Sequence, residues 1–315
     1  MKKTKISAVI FLIFCFFISA QAQTDKIYNF LNLGVDARSS ALANSFVSSY
    51  DDANGLFYNP AMMTTLKETK ASVGFFKYLL DINSGNAAYT TKYKDIGFVG
   101  AGLRYMDYGS FKKFDEQSNN LGTFGASDLA FSVGFAKNFN PDLSWGVNVK
   151  FIYSNIDEYS STAIATDLGL LYYLPASKFS AGVSLLNFGT QLTKYSNSSE
   201  DLPVNLNVGF SKQLEYLPLT VYVSLSNLTD KTDKFSERFK NFKIGGEFVL
   251  NDYVDLRLGY NNQQRQDLKT GSAVGLAGFS IGVGIKIRNY RLDYAFNSLG
   301  NVGSTHRVNL AFDIK

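Results

Sequence analysis

The chain has 315 residues and a formal net charge of +4, with 18% charged and 15% aromatic residues. So many aromatics with so little charge exclude a disordered chain. One cysteine excludes a disulfide scaffold or a cysteine-based zinc site, and the near-neutral balance excludes a nucleic-acid partner, which needs a basic excess.

Lys2, Lys3 and Lys5 precede an apolar run from Ile10 to Ile18, and Ala20-Gln21-Ala22 follows as a small-x-small cleavage site. Residues 1–22 are therefore expected to be a secretory signal peptide; the run is too short to cross a bilayer as a helix. Cys15 is not a lipoprotein cysteine, because Phe14 stands where a small residue is needed. Cleavage after Ala22 removes three lysines, no acid and the only cysteine, so the mature charge falls to +1.

Residues 23–66 carry no spanning-strand pattern. Asp36 caps a short helical stretch, Ala37 to Ala43, and Asp51-Asp52-Ala53-Asn54-Gly55 reads as a turn. In Asn59-Pro60-Ala61, Pro60 fixes a bend and Asn59 bonds its own backbone. The segment is expected to be a periplasmic appendage or a hatch inside the lumen of a following barrel, with Asn59-Pro60-Ala61 at the hatch-to-barrel junction.

From 67 to 315 the sequence is dominated by alternation of period two, the mark of strands. Leu129, Phe131, Val133 and Phe135 alternate with Ala130, Ser132, Gly134 and Ala136; Val254, Leu256, Leu258 and Tyr260 alternate with Asp255, Arg257, Gly259 and Asn261. About fourteen strands are expected, near 69–79, 82–92, 95–107, 127–138, 143–156, 161–173, 178–188, 203–213, 218–228, 242–250, 253–263, 276–287, 290–298 and 305–314. Many are long enough for a tilted bilayer crossing. Their connections alternate between long and polar (Tyr108 to Ala126, Gly189 to Leu202, Thr229 to Asn241, Gln264 to Gly275) and short (Phe139 to Asp142, Pro175-Ala176, the two-residue turn Asn251-Asp252, Arg288-Asn289), with a medium one around Asp157-Glu158-Tyr159. This is the loop pattern of an outer-membrane barrel. In lipid an open sheet edge would strand backbone groups, so the sheet must close. The fold class is all-β: a transmembrane antiparallel β-barrel of about fourteen strands in the cell outer membrane, preceded by a short helical hatch.

Tyr28-Asn29-Phe30-Leu31-Asn32-Leu33, Ala37-Arg38-Ser39-Ser40-Ala41-Leu42, Asp51-Asp52-Ala53 and Asn59-Pro60-Ala61 together resemble the N-terminus of the PorV/PorQ family, outer-membrane proteins of the type IX secretion system. The opening stretch, with Tyr108-Gly109-Ser110-Phe111 and Gly122-Thr123-Phe124, looks closer to PorQ. The Asp-Asp-Ala and Asn-Pro-Ala parts also resemble FadL-type fatty-acid transporters, whose fourteen-stranded barrel carries an N-terminal hatch. Where the family usually has Gly-Gly after Ala41-Leu42, this chain has Ala43-Asn44.

The resemblance implies hatch and junction residues Arg38, Asp51, Asp52, Asn59, Pro60 and Ala61. It implies a role in type IX protein secretion, with other secretion components and secreted cargo proteins as partners engaged through extracellular loops, and outer-membrane lipids around the barrel. The alternative is a FadL-like transporter of hydrophobic small molecules, which needs a contiguous apolar pocket inside. Inward positions are mainly Gly, Ser, Asn, Lys, Arg and Asp, which favours secretion over transport. Asp255, Arg257, Arg291 and Asp293 alternate inward as lumen charges, expected as a packing lattice or a selective constriction. Gly303-Ser304-Thr305-His306 offers no orienting acid or oxyanion turn, so no enzyme activity is expected, and no cofactor or metal.

Overall fold

Alternating side chains become two faces of one sheet. The computed structural model describes residues 26–196, 199–230, 235–268 and 275–314. The signal-peptide expectation, most of the charged loop from Asp230 to Lys234, and Lys315 lie outside the described residues. Fourteen antiparallel strands close into a single barrel in chain order. They are β1 (Thr69–Lys77), β2 (Asn83–Tyr93), β3 (Gly97–Phe114), β4 (Asn120–Asn138), β5 (Leu143–Ile156), β6 (Tyr159–Leu174), β7 (Phe179–Thr193), β8 (Asn205–Gln213), β9 (Leu219–Leu225), β10 (Phe242–Val249), β11 (Val254–Asn261), β12 (Phe279–Ile287), β13 (Tyr290–Ser298) and β14 (Ser304–Ile314). Closure pairs β1 with β14 from Thr69↔Ile314 to Lys77↔His306, so no spanning edge is left open. Phe131 and Val133 are half exposed on the lipid face, while Ala130 and Ser132 point inward and are buried.

The wall is uneven, and here the structure departs from the sequence expectation. Tyr108 to Ala126 is not a loop: β3 and β4 run on as a two-stranded ribbon that reverses only at Asp115–Asn119. A bulge sets Tyr108 and Gly109 against Ala126, with Gly109 at φ 80°, a conformation that favours glycine. The β5–β6 connection is a two-residue turn, Asp157-Glu158, and the β10–β11 turn spans four residues, 250–253. The long loop after β11 contains a short helix, α2 (Asn262–Asp267).

The turns 94–96, 139–142, 175–178, 214–218, 250–253 and 288–289 share one end of the barrel with the start of β1 and the end of β14, the periplasmic end, while the tight Asp157-Glu158 turn lies at the extracellular end. Residues 26–66 lie inside the lumen and not below it. Lys26 bridges Asp201 and pairs with Asp230 at 2.5 Å, so the segment begins among the extracellular loops. It descends through a 3₁₀ turn (Asn29–Asn32), the helix α1 (Ala37–Ala41) and two further 3₁₀ turns (Ala53–Phe57 and Pro60–Thr65), then enters β1. Phe30 and Leu31 pack on Phe76, Met106 and Ile152 near the top; Leu42, Phe46 and Met62 pack on Leu171 and Tyr222 lower down. A lumen of fourteen strands is wide enough to need such filling.

Candidate functional site: the hatch and its anchors

The hatch is shaped by local chemistry first. The Asp36 carboxylate accepts the Ser39 N–H at 3.1 Å and caps α1. Ala43 and Asn44 end that turn with φ of 55° and 59°. Two left-handed residues in succession explain why glycines suit these positions, and why an alanine there is strained. Asn59 accepts the Ala61 N–H at 3.1 Å, while its amide donates to the Val47 carbonyl at 2.9 Å and to the Leu170 carbonyl of β6 at 3.0 Å. Asn59-Pro60-Ala61 is therefore a wedge that docks the hatch on the wall; the junction with β1 comes later, at Leu66 to Glu68. The wedge rests on glycines. A Cβ on Gly146 would stand 2.4 Å from the Pro60 carbonyl carbon, and one on Gly182 2.2 Å from the Val47 oxygen.

The sequence-predicted charges meet the hatch in one buried lattice. Arg38 binds Glu247 of β10 through two bonds, 2.9 and 2.8 Å, and reaches Asp52 at 3.1 Å. Arg291 joins Asp52 at 2.6 Å to Asp293 at 2.7 Å. Arg257 contacts Asp293 at 2.7 Å, Glu247 at 2.8 Å and Asp255 at 3.2 Å, and Lys286 closes the chain on Asp255 at 2.7 Å. Four cations thus face four anions, which keeps the lattice neutral at low dielectric. Glu247 and Lys286 escaped the sequence reading, as did Tyr222, whose hydroxyl donates to Glu247 at 3.0 Å. Glu247 follows Gly245-Gly246, where small residues on both faces blur the alternation. Asp51 stands apart, 3.5 Å from Lys70 near the periplasmic end. On the hatch itself, burial and the neighbouring Asp52 push Asp36 up to about 6. Burial would raise Asp52 as well, but Arg291 and Arg38 overcome it and hold this carboxyl at about 2.

One further hatch anchor and one buried wall cluster were not legible in sequence. Arg104 of β3 is buried and donates to three hatch carbonyls, Phe30 at 2.6 Å, Leu33 at 2.9 Å and Leu31 at 3.0 Å. On β7 a bulge sets Leu186 and Asn187 against Asp167 alone; Asn187, at φ 60°, donates its N–H to Asp167 at 2.8 Å, and Lys150 pairs with the same carboxylate at 2.8 Å. A charged gap of about 190 Å³ opens near the periplasmic end between Asp51–Ala53 and Lys70, Lys286 and Arg291; deeper between hatch and wall lies one of about 50 Å³. Leu31, Leu33, Val35, Val47 and Phe57 line its hatch side together with Asn32, Asn44 and Tyr58; Arg104, Leu186, Asn207, Ser224 and Lys243 are among the wall residues.

His306 reaches the Tyr294 hydroxyl at 2.8 Å and Ser304 at 3.5 Å on the exposed outer face, with no carboxylate of the described residues in the chain of contacts. Thr305 points the other way and is buried.

No curated protein sequence matches the chain. Among solved structures it is similar to the toluene transporter TodX of Pseudomonas putida (14% identity, 92% of this chain and 98% of that one, TM-score 0.58) and to a deltaS2S3 mutant of the TodX monoaromatic hydrocarbon channel (13%, 89% and 99%, 0.59). It is also similar to the toluene transporter TbuX of Ralstonia pickettii (13%, 88% and 97%, 0.58). At such identities the likeness is one of fold, a FadL-like barrel; none of these relatives is named for type IX secretion. A family model matches residues 17–269, and with the fold it places the protein in the outer membrane: the chain belongs to the outer membrane protein transport family (OMPP1/FadL/TodX).

Proposed function

We propose that this protein passes a hydrophobic small molecule across the outer membrane, with the hatch as the gate. The family supports transport. The observation that carries the reading is the source of the apolar surface in the lumen. Many wall positions facing inward are polar, which by itself argues against an apolar conduit. The hatch supplies what the wall lacks: Leu31, Leu33, Val35, Val47 and Phe57 form one side of the gap against Leu186. That gap, about 50 Å³, is well below the roughly 150 Å³ cavity that admits benzene. Passage therefore requires the hatch to yield. The test is uptake of toluene by cells expressing the wild-type chain, the chain with Gly182→Ala under the hatch, or no chain. Uptake above the empty control that changes with the hatch variant supports the reading; uptake equal to the empty control in both sinks it.

A second reading has its own observation. The β3–β4 ribbon extends beyond the lipid-facing rows with Phe111 and Phe124 stacked at 5.4 Å and Phe111, Phe114 and Leu121 exposed. With the PorV/PorQ-like N-terminal motifs, this suits contact with type IX secretion components or secreted cargo. Trimming the ribbon tip distinguishes the two: the secretion reading loses surface display of cargo, the transport reading keeps uptake.

A further inference from the structure

The strand register gives a row-by-row map of the outer face. One row runs Val308, Phe75, Gly85, Tyr105, Leu129, Tyr153, Thr162 across seven strands. Its tyrosines Tyr105 and Tyr153, with Tyr294 opposite Val308, present amphipathic side chains on the outer face. The next row toward the extracellular end runs His306, Lys77, Asn83, Asp107, Ser127, Asn155, Ser160. From β14 to β6 it is polar, whereas on β13 it continues with Phe296 opposite His306; its basic side chains stand side by side at one place, the β14–β1 seam. There Lys77 lies directly opposite His306, and both are exposed. Lys77 forms no ion pair with the described residues. Among the described residues the polar partners of His306 are hydroxyls, Tyr294 at 2.8 Å on Nδ1 and Ser304 at 3.5 Å on Nε2, and its ring meets Phe296 edge-on at 5.5 Å. The Tyr294 hydroxyl and His306 Nδ1 share one hydrogen bond; in the tautomer where Nδ1 accepts, the imidazole proton sits on Nε2.

We propose that the β14–β1 seam binds the phosphate headgroup of an outer-leaflet lipid. The Lys77 ammonium supplies the charge, and His306 Nε2–H and the Ser304 hydroxyl supply hydrogen bonds to phosphate oxygens. A lipid fits better than free phosphate because the apolar surface is continuous below the site. Phe75 is 54% and Val308 43% exposed one register step toward the membrane centre, where acyl chains would lie. An acidic neighbour would oppose such binding; the acid of this row, Asp107, is two strands away from Lys77, and Asp81 of the β1–β2 turn lies against Gly109 of β3.

The test is native mass spectrometry of the purified full-length barrel in detergent, titrated with monophosphoryl lipid A, with the same lipid dephosphorylated, and with inorganic phosphate as competitor. The phosphorylated lipid is expected to bind more tightly than the dephosphorylated one. Lys77→Gln should weaken it about fivefold, the size of one interfacial lysine's attraction. His306→Gln should weaken it too, Lys77→Arg should retain it, and Lys137→Gln near the periplasmic end should leave it unchanged. Heat-modifiable gel mobility of each variant confirms that the barrel is folded. Equal binding of both lipids overturns the proposal, as does a Lys137→Gln loss matching that of Lys77→Gln. Displacement of the lipid by equimolar inorganic phosphate overturns it as well, because the seam would then be a free-phosphate site.

Discussion

Arg38 of the hatch and Glu247 of β10 are 209 residues apart in sequence and joined by two charge-assisted hydrogen bonds, 2.8 and 2.9 Å. Both side chains are at least nine-tenths buried. A pair of this kind is weak evidence of net stabilisation, because desolvating both charges cancels much of the attraction. Breaking it is a different matter. Glu247→Ala would leave Arg38 with Asp52 as its one carboxylate, beside the Tyr50 carbonyl, and Arg257 short of one partner. The expected cost is about 3–5 kcal/mol of hatch docking. It should be read as protease cleavage within residues 26–66 of a barrel that still shifts on heating. Unchanged protection would show that the lattice does not hold the hatch.

Ala43→Gly should stabilise the protein. Ala43 has φ 55° and is followed by Asn44 at φ 59°. Left-handed backbone costs an alanine about 1–2 kcal/mol, partly offset by the greater freedom of glycine in the unfolded chain. A net gain of about 0.5–1 kcal/mol is expected in urea unfolding from detergent, with Ala43→Val lower than wild type. A loss with glycine would mean that the Ala43 methyl packs for more than its strain.

Gly182→Ala and Gly85→Ala separate hatch docking from strand propensity. The first Cβ would meet the Val47 carbonyl oxygen at 2.2 Å, which is backbone and cannot swing away. The second would find nothing nearer than 3.7 Å. Overpacking of the first kind costs about 1–3 kcal/mol. Single-channel conductance in planar bilayers should therefore rise in frequency for Gly182→Ala and not for Gly85→Ala.

Hatch seating should depend on pH through Asp36. Its carboxyl is raised to about 6 in the folded chain, above its ordinary value of 3.8. The folded state thus binds the proton more tightly than the unfolded one. Its contribution is complete below about pH 4 and is lost as pH rises through about 6. Asp52, held at about 2, acts in the opposite sense and only below about pH 4. Protection of residues 26–66 against an acid-tolerant protease should fall between pH 4 and pH 6.5. Asp36→Asn keeps the Ser39 acceptor and should flatten that slope. A slope that persists in Asp36→Asn would place the titration elsewhere.

What sequence determined here was whatever repeats every two residues or turns sharply. Leu129 to Ala136 and Val254 to Asn261 could face lipid in only one register, so strand number and approximate position followed from alternation. The caps and bends at Asp36 and Asn59-Pro60 are local, and they too were legible. The charges at Asp255, Arg257, Arg291 and Asp293 could be assigned to the lumen by parity. Tertiary structure decided what these groups meet. Glu247 lies beyond two glycines that mask its parity, and its partner Arg38 is distant in the chain. The sequence favoured secretion because the wall faces inward with polar residues; the apolar lining arrives from the hatch, a separate segment with no strand period. Lys77 and His306 became neighbours only when β1 closed on β14. Alternation reports which face a side chain takes and carries no information about which residue stands opposite, because pairing across a barrel is set by closure and register.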